Sequence, residues 1–265
     1  MRITTFNANG IRAAARKGFF TWLRAEAPDV LCIQETKAQE QQMPPEALDL
    51  SDYSFAFVDA QKKGYSGVAL YAKRPPENIQ RGLDMPDMDA EGRFVRFDWG
   101  NFSIASLYVP SGTSGEVRQR VKDGFLERFL TRLAALARDG RSYVLCGDFN
   151  IAHKAIDTFD PVRNAKITGF LPHERVWMDT ALGLGWVDAF RLVDSEAKRY
   201  TWWPNWPGAF ETNRGWRIDY QLITPDLAPA VRAASIYRDE RFSDHAPLTI
   251  DYDLALERAG DHMPV

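Results

Sequence analysis

The chain lacks the features that mark several protein classes. Its 265 residues include only two cysteines, Cys32 and Cys146, each inside an apolar run (VLCIQ and YVLCG). They read as small buried side chains, which excludes a disulfide scaffold and a cysteine-based metal site. No apolar run is long enough to span a bilayer, so no membrane partner is expected. The opening MRITTFNANG has neither the apolar stretch nor the cleavage pattern of a secretory leader, which points to the cytoplasm. Low-complexity tracts, short-period repeats and Pro/Gly/Ser linkers are missing too. Glycine and proline are scattered as turn punctuation, so a single domain over 1–265 is expected. A net charge of −3 argues neither for nor against nucleic acid; a basic face, if there is one, must be local.

What is present suits a mixed α/β domain, with 45% hydrophobic residues to fill a core. Strands are predicted at RITTFN (2–7), DVLCIQ (29–34), YSFAFVDA and GVALYAK. RFVRFDWG and NFSIASLYV (93–109) read as a hairpin across a Gly-Asn turn. Further strands are predicted at SYVLCGD (142–148) and around RYTWW, WRIDYQLI and APLTIDYD. Helices are predicted at 18–27, at 117–140 with apolar residues from Val121 to Leu136 at helical spacing, and near 173–182. Strands interleaved with helices and hairpins indicate an α/β sandwich of sheets.

The acids carry the chemical signal. Glu35, Asp148, Asp219 and Asp244 each stand at or near the end of a strand-like segment. If those strands share one rim, four carboxylates converge, and like charges that close require a cation or a proton between them. An oxygen-rich cluster of this kind favours a hard divalent ion such as Mg²⁺ or Mn²⁺. Asn7, Asn9, Tyr108, Asn150 and His245 would occupy the same rim. Taken singly, these residues have ordinary explanations. Glu35 suits a solvated loop, Asp148 to Asn150 an Asx turn, and Ser243 to His245 a cap. His153, His173 and His262 have no such setting and read as surface or capping residues.

Six strings decide between these readings. FNANG (6–10), IQETK (33–37), SLYVPSG (106–112), CGDFNIAH (146–153), NRGWRIDYQLIT (213–224) and FSDHAPL (242–248) occur in this order. Together they resemble the exonuclease III family of metal-dependent DNA-repair nucleases, within the endonuclease/exonuclease/phosphatase superfamily. The resemblance runs from residue 2 to about 252. It implies an α/β fold, a two-layer β-sandwich flanked by helices, with the site at one edge of the sheets. It also implies roles. Glu35 and Asp244 would hold the metal, with Asn7, Asp148, Asn150 and His245 around it. Asn7 would orient Asp148, and Asp148 would activate water. Asn150 would bond the phosphate or the attacking water, and His245 would donate to a phosphoryl oxygen. Asp219 would pair with His245 and keep it protonated. Tyr108 would contact the phosphate, or act as the base as a phenolate. Two positions depart from the family pattern. Asn9 stands where some members carry Asp, which weakens one metal ligand. Ser111 follows the proline where many carry Asn or Gln, which removes a phosphate contact.

The resemblance makes duplex DNA the partner, above all at 3′ ends and abasic sites. Asn9, Arg12, Lys37, Arg93, Arg118, Lys122 and Lys154 are the candidates for DNA binding, with Arg163, Lys166 and Arg217 as further cations near the rim. An abasic pocket would be built from Trp202, Trp216 and Ile218, with Trp206 on its rim; the tryptophans read equally as core. Two other readings compete. One is a phosphoesterase of the same superfamily acting on lipid or inositol phosphates, which should lack the Trp-rich segment 200–219. The other is a non-catalytic, RNA-associated regulator, because PSGTSGE, GFLPHERVWMD and FSDHAPLTIDYD also look like the bacterial catabolite repression control proteins. Those regulators lack much of the catalytic set, whereas this chain has Glu35, Asp148, Asn150, Asp219, Asp244 and His245. The nuclease is the favoured reading.

Overall fold

The strongest strands show no polar–apolar alternation because both of their faces are covered. VLCIQ and VALYA are buried at every position, as expected for strands between a second sheet and a helical layer. The computed structural model describes residues 1–256. The first strands are β1 (Arg2–Asn7), β2 (Val30–Gln34), β3 (Ser54–Val58) and β4 (Val68–Ala72). The chain then crosses to β5 (Asn78–Arg81), β6 (Phe94–Trp99), β7 (Phe102–Tyr108), β8 (Ser142–Asp148), β9 (Val187–Asp188) and β10 (Asp219–Ile223). It returns through β11 (Val231–Ile236) and β12 (Leu248–Tyr252). Two six-stranded sheets result, ordered β11-β12-β1-β2-β4-β3 and β5-β6-β7-β8-β10-β9. This is the expected α/β sandwich.

Period-two placement divides each central strand between two layers of core. Ile104, Val144, Cys146 and Ile223 point to the other sheet and meet Ile3, Cys32 and Leu70 there. Cys32 and Cys146 lie buried and free in this layer, as expected. Leu107, Tyr143, Leu145 and Leu222 point outward beneath Phe125, Phe129 and Leu133 of the helix Glu116–Leu136 and Trp177 and Met178 of the helix Pro172–Gly183. On the other flank, Phe19, Phe20 and Leu23 of the helix Phe19–Glu26 cover Phe6, Leu31 and Ile33.

Polar side chains join the two sheets where apolar contact alone would let them slide. Gln34 Nε2 donates to Ser106 Oγ at 2.9 Å, and Gln221 Nε2 donates to the Ile3 carbonyl at 2.9 Å. The Tyr252 hydroxyl donates to Gln221 Oε1. Gly147 serves closeness of a different kind. A Cβ there would lie 2.0 Å from the Leu107 carbonyl, so only glycine lets β8 approach β7 just before Asp148.

Three expectations are corrected. The segment RYTWW is not a strand. Thr201 and Trp202 bond the Trp216 carbonyl through isolated bridges, because the chain bends there toward His245. The long helix stops at Leu136, and Gly140 (φ 81°) closes the turn that follows. Arg217 is buried, so it is no contact for a DNA backbone. Its Nε donates to Asp157 Oδ1 at 2.8 Å, and its Nη2 lies 2.7 Å from Asp188 Oδ2. Among the described residues no helix is long and apolar enough to cross a membrane.

The Arg217 cluster gives a pH-dependent element of stability. Burial alone would raise the Asp157 carboxyl, but the charges of Arg217 and Arg191 outweigh it and hold the group at about 2. A folded-state value below the unfolded one stabilises the fold above about pH 4, and the contribution is lost as pH falls toward 2. We expect Asp157→Asn to lower stability at pH 7 by about 3 kcal/mol, since it leaves Arg217 under-compensated. The acid sensitivity of the variant between pH 4 and 2, followed by urea unfolding, should be weaker than that of the wild type by about 2 kcal/mol.

Candidate active site

Strand register decides which side chains meet. β7 and β8 run parallel with Tyr108 beside Asp148, and antiparallel β10 places Asp219 beside Asp148 on the other side. In the facing sheet, β1 ends at Asn7 opposite Gln34, so Glu35 leaves β2 at the same rim. Asp244 and His245 precede β12, whose first residue, Leu248, lies opposite Thr5 near the end of β1. Glu35, Tyr108, Asp148, Asp244 and His245 therefore line one cleft of about 700 Å³, with Asp219 buried behind His245.

The convergence expected from the acids is real, and its wiring is specific. Asn7 Nδ2 donates to both Glu35 Oε1 and Asp148 Oδ2 at 2.8 Å, while its Oδ1 accepts from the Asn9 backbone. Asn7 thus bridges two carboxylates through its amide donor, with its oxygen turned to the Asn9 backbone. Asn9 Nδ2 donates to Asp244 Oδ1 at 2.9 Å, and Lys37 Nζ reaches both Asn9 Oδ1 and, at 2.7 Å, Glu35 Oε2. Asp244 also accepts from Trp202 Nε1 and Ser243 Oγ. The predicted Asx turn exists, because the Asn150 N–H donates to Asp148 Oδ1 at 2.7 Å. Asn150 Nδ2 is held by the Val109 carbonyl and by Asp148. Asn150 therefore fixes Asp148 directly.

His245 and Asp219 form the expected pair, with Nδ1 and Oδ2 2.9 Å apart. Burial would lower the imidazole, but the Asp219 charge overrides it and raises the ring to about 10. The ring is therefore cationic at neutral pH, and its Nε2 lies 3.8 Å from Asp148 Oδ2. Burial pushes the Asp148 carboxyl up, and Asp219 and Glu35 push it further, against the pull of His245. Burial, with Glu35 alongside, also pushes the Tyr108 phenol well up, so it sits here as a neutral donor and the phenolate role is disfavoured. The site is short of positive charge.

A divalent ion fits that shortage. Glu35, Asp148 and His245 each place an atom within 4.8 Å of the others; the cationic ring has no lone pair to give, so the carboxylates of Glu35 and Asp148 would hold the ion. Asp219 Oδ1 is buried without a hydrogen-bond partner. Asp244 lies outside this trio, its oxygens engaged by Asn9, Trp202 and Ser243.

The basic candidates separate on burial. Lys37 and the half-buried Arg118 line the cleft, and Arg12 lines a groove beside it with Arg16 and Lys37. Lys154 is exposed against Asp179, Arg163 is exposed on the short helix Pro161–Asn164, and Lys166 is exposed just after it. Arg93 and Lys122 are corrected. Arg93 is buried under the Tyr108 ring, 4.6 Å from its centroid, and donates to the Tyr108 carbonyl. Lys122 is buried against Glu174. Neither reaches a phosphate. His153 is also corrected, being buried against Asp179; His173 is exposed at the start of its helix, and His262 lies outside the described residues. Trp202, Trp216 and Ile218 all line the cleft and pack with Phe170, so core and pocket are the same residues here. Trp206 is 56% exposed beyond them. Sequence reasoning missed Tyr65, whose hydroxyl accepts from Arg93 and Arg118 at the cleft edge. The loop QKKGYSG, an aromatic among lysines and glycines, was its signal.

A carboxylate rim, a buried imidazolium and an apolar pocket on one edge of a two-sheet sandwich define a phosphoester hydrolase. The chain belongs to the Endonuclease/Exonuclease/phosphatase family, whose profile matches residues 4–245. It is 36% identical over 254 residues to the DNA repair nuclease APEX1 of Danio rerio, covering 94% of this chain and 81% of that one. It is 35% identical over 252 residues to an exodeoxyribonuclease of Bacillus subtilis, covering 94% and 98%. The solved AP endonuclease of Archaeoglobus fulgidus superposes with a TM-score of 0.87 at 30% identity, covering 96% of this chain and all of the other. The family is one of metal-dependent nucleases, in keeping with the carboxylate cluster.

The His245–Asp219 pair can be tested without turnover. In the wild type, the His245 ring should stay protonated well above neutral pH in an NMR titration. In Asp219→Asn its midpoint should fall, because burial then acts without the opposing charge. An unchanged titration would remove Asp219 from that role.

Proposed function

We propose that the cleft is the active site of a Mg²⁺- or Mn²⁺-dependent DNA-repair nuclease, and that the whole chain serves as one nuclease domain. It is a 3′→5′ exodeoxyribonuclease on duplex DNA that also clears 3′ phosphates and cuts 5′ to abasic sites, leaving a 3′ hydroxyl. The observation that carries this reading is the shared cleft, in which the Asp148–His245 centre opens directly onto Trp202, Trp216 and Ile218.

The chemistry follows from placement. Asp148, held by Asn7 and the Asn150 N–H, takes a proton from water as the water oxygen bonds to phosphorus. The bond from phosphorus to the 3′ oxygen breaks opposite the attack. His245, kept cationic by Asp219, and the neutral Tyr108 hydroxyl donate to phosphoryl oxygens, where negative charge grows. Glu35 and Asp148 would hold a divalent ion, which when bound would supply positive charge to the phosphoryl group and the leaving oxygen. Lys37, Arg118 and the Arg12 groove neutralise flanking phosphates. The apolar wall admits a sugar without a base. A normal nucleotide inside a duplex must be unstacked at a cost of a few kcal/mol before it can enter. At a frayed 3′ end that cost is smaller, so one centre serves both substrates.

Three duplexes test the reading: a recessed 3′ end, a 3′ phosphate and an internal abasic site. Chelation should abolish all three activities, and Mg²⁺ or Mn²⁺ should restore them; full activity in excess chelator refutes the site. Asp148→Asn should cut turnover by about 100-fold or more while DNA affinity holds or improves. Trp216→Ala should reduce abasic incision more than 3′-phosphate removal, and equal losses would make Trp216 structural.

A further inference from the structure

Lys122 and Glu174 are fully buried and paired, Nζ to Oε1 at 2.5 Å, on the helices Glu116–Leu136 and Pro172–Gly183. Neither lines the cleft. Holding these helices together does not require them, since Phe125, Phe129, Trp177 and Met178 already pack between the two. Two charges removed from water cost several kcal/mol each, and an apolar pair of similar volume joins helices about as well. What the charged pair adds is directional bonding, and that bonding leads to the active site. Lys122 Nζ donates to the Asn150 carbonyl at 2.8 Å, on the turn that fixes Asp148. Glu174 Oε2 accepts from the backbone N–H of Gly169 at 2.6 Å and of Leu171 at 3.0 Å.

Both segments held in this way have backbone in the left-handed region, Asn150 at φ 52° and Gly169 at φ 91°. Such conformations persist where the surroundings over-determine them. Gly169 also closes on the pocket. Its carbonyl accepts from Ala152 at 2.7 Å, and a Cβ on it would lie 3.1 Å from both the Asn150 carbonyl and the Trp216 ring. A helix cap explains the bond from Glu174 to Leu171, since Glu174 is the third residue of its helix. It does not explain the bond to Gly169 or a buried ammonium beneath Asn150.

We propose that Lys122 and Glu174 are positioning residues: through backbone bonds they set the place of Asn150 beside Asp148 and of the Gly169 wall against Trp216. The inference rests on the reading of the cleft as a nuclease site with an abasic pocket. Its test replaces the pair by Lys122→Met/Glu174→Leu in the complete chain, with Mg²⁺ saturating. The fold, checked by circular dichroism and thermal midpoint, should persist. Turnover on the 3′-phosphate duplex should fall about 100-fold with KM changed by less than about threefold, as for a misplaced catalytic group. Abasic incision should fall further still. A folded variant with wild-type turnover and a wild-type ratio of the two activities overturns the proposal. Hydrogen exchange on the unaltered protein decides independently of the variant. The Gly169 and Leu171 amides should exchange as slowly as the core of the Pro172–Gly183 helix, and exchange at open-loop rates overturns the proposal. If the wild type fails to cut the abasic duplex, the pocket reading falls. The 3′-phosphate turnover and the exchange data still decide the positioning claim.

Discussion

Like charges crowded at one rim of a low-dielectric sandwich repel unless something of opposite sign stands between them. The architecture of the rim follows from that constraint. Glu35 and Asp148 do not touch; the Asn7 amide stands between them with both of its N–H groups donating. Asp219 is compensated by the His245 imidazolium, and Asp244 by Asn9, Trp202 and Ser243. These bonds relieve the repulsion without removing it, since burial still pushes the Asp148 carboxyl up. A divalent ion would relieve the residual deficit of positive charge.

Rigidity at the rim comes from outside it. Inter-sheet bonds at Gln34–Ser106 and Gln221–Ile3 keep the two sheets from sliding, and a slide would carry Glu35 on one sheet away from Asp148 on the other. Arg93 under the Tyr108 ring and Arg217 between Asp157 and Asp188 are buried cations that brace the strand ends. Arg217 sits between Trp216 and Ile218 in sequence, so the ion cluster anchors the segment whose neighbours form the apolar wall. The carboxylate rim and the apolar wall therefore share supports.

Much of this was legible in the order of residues. The central strands could be read because runs such as VLCIQ and YVLCG, apolar at nearly every position, need cover on both faces. The acids could be read as a site because they fall at strand ends. Edge elements were less legible: NIQR (78–81) has no apolar pattern to betray a strand. RYTWW looks like one and is bent instead, because its partners are the Trp216 backbone and the segment at His245. Arg93, Lys122 and Arg217 carried no sign that they were buried, since a charged side chain looks the same in sequence whether it meets water or a carboxylate.

The sequence by itself determined the family, the two-layer architecture and which acidic side chains gather at the rim. All of these follow from local patterns: apolar runs, turn residues, and short strings that keep their order along the chain. Tertiary structure decided what each polar group does. Asn7 became the bridge between Glu35 and Asp148, and Lys122 a buried anchor rather than a DNA contact. Those roles depend on partners 28 to 141 residues away in the chain, brought close by strand register and helix packing. A hydrogen bond acts over about 3 Å in space, and residue order does not record that distance.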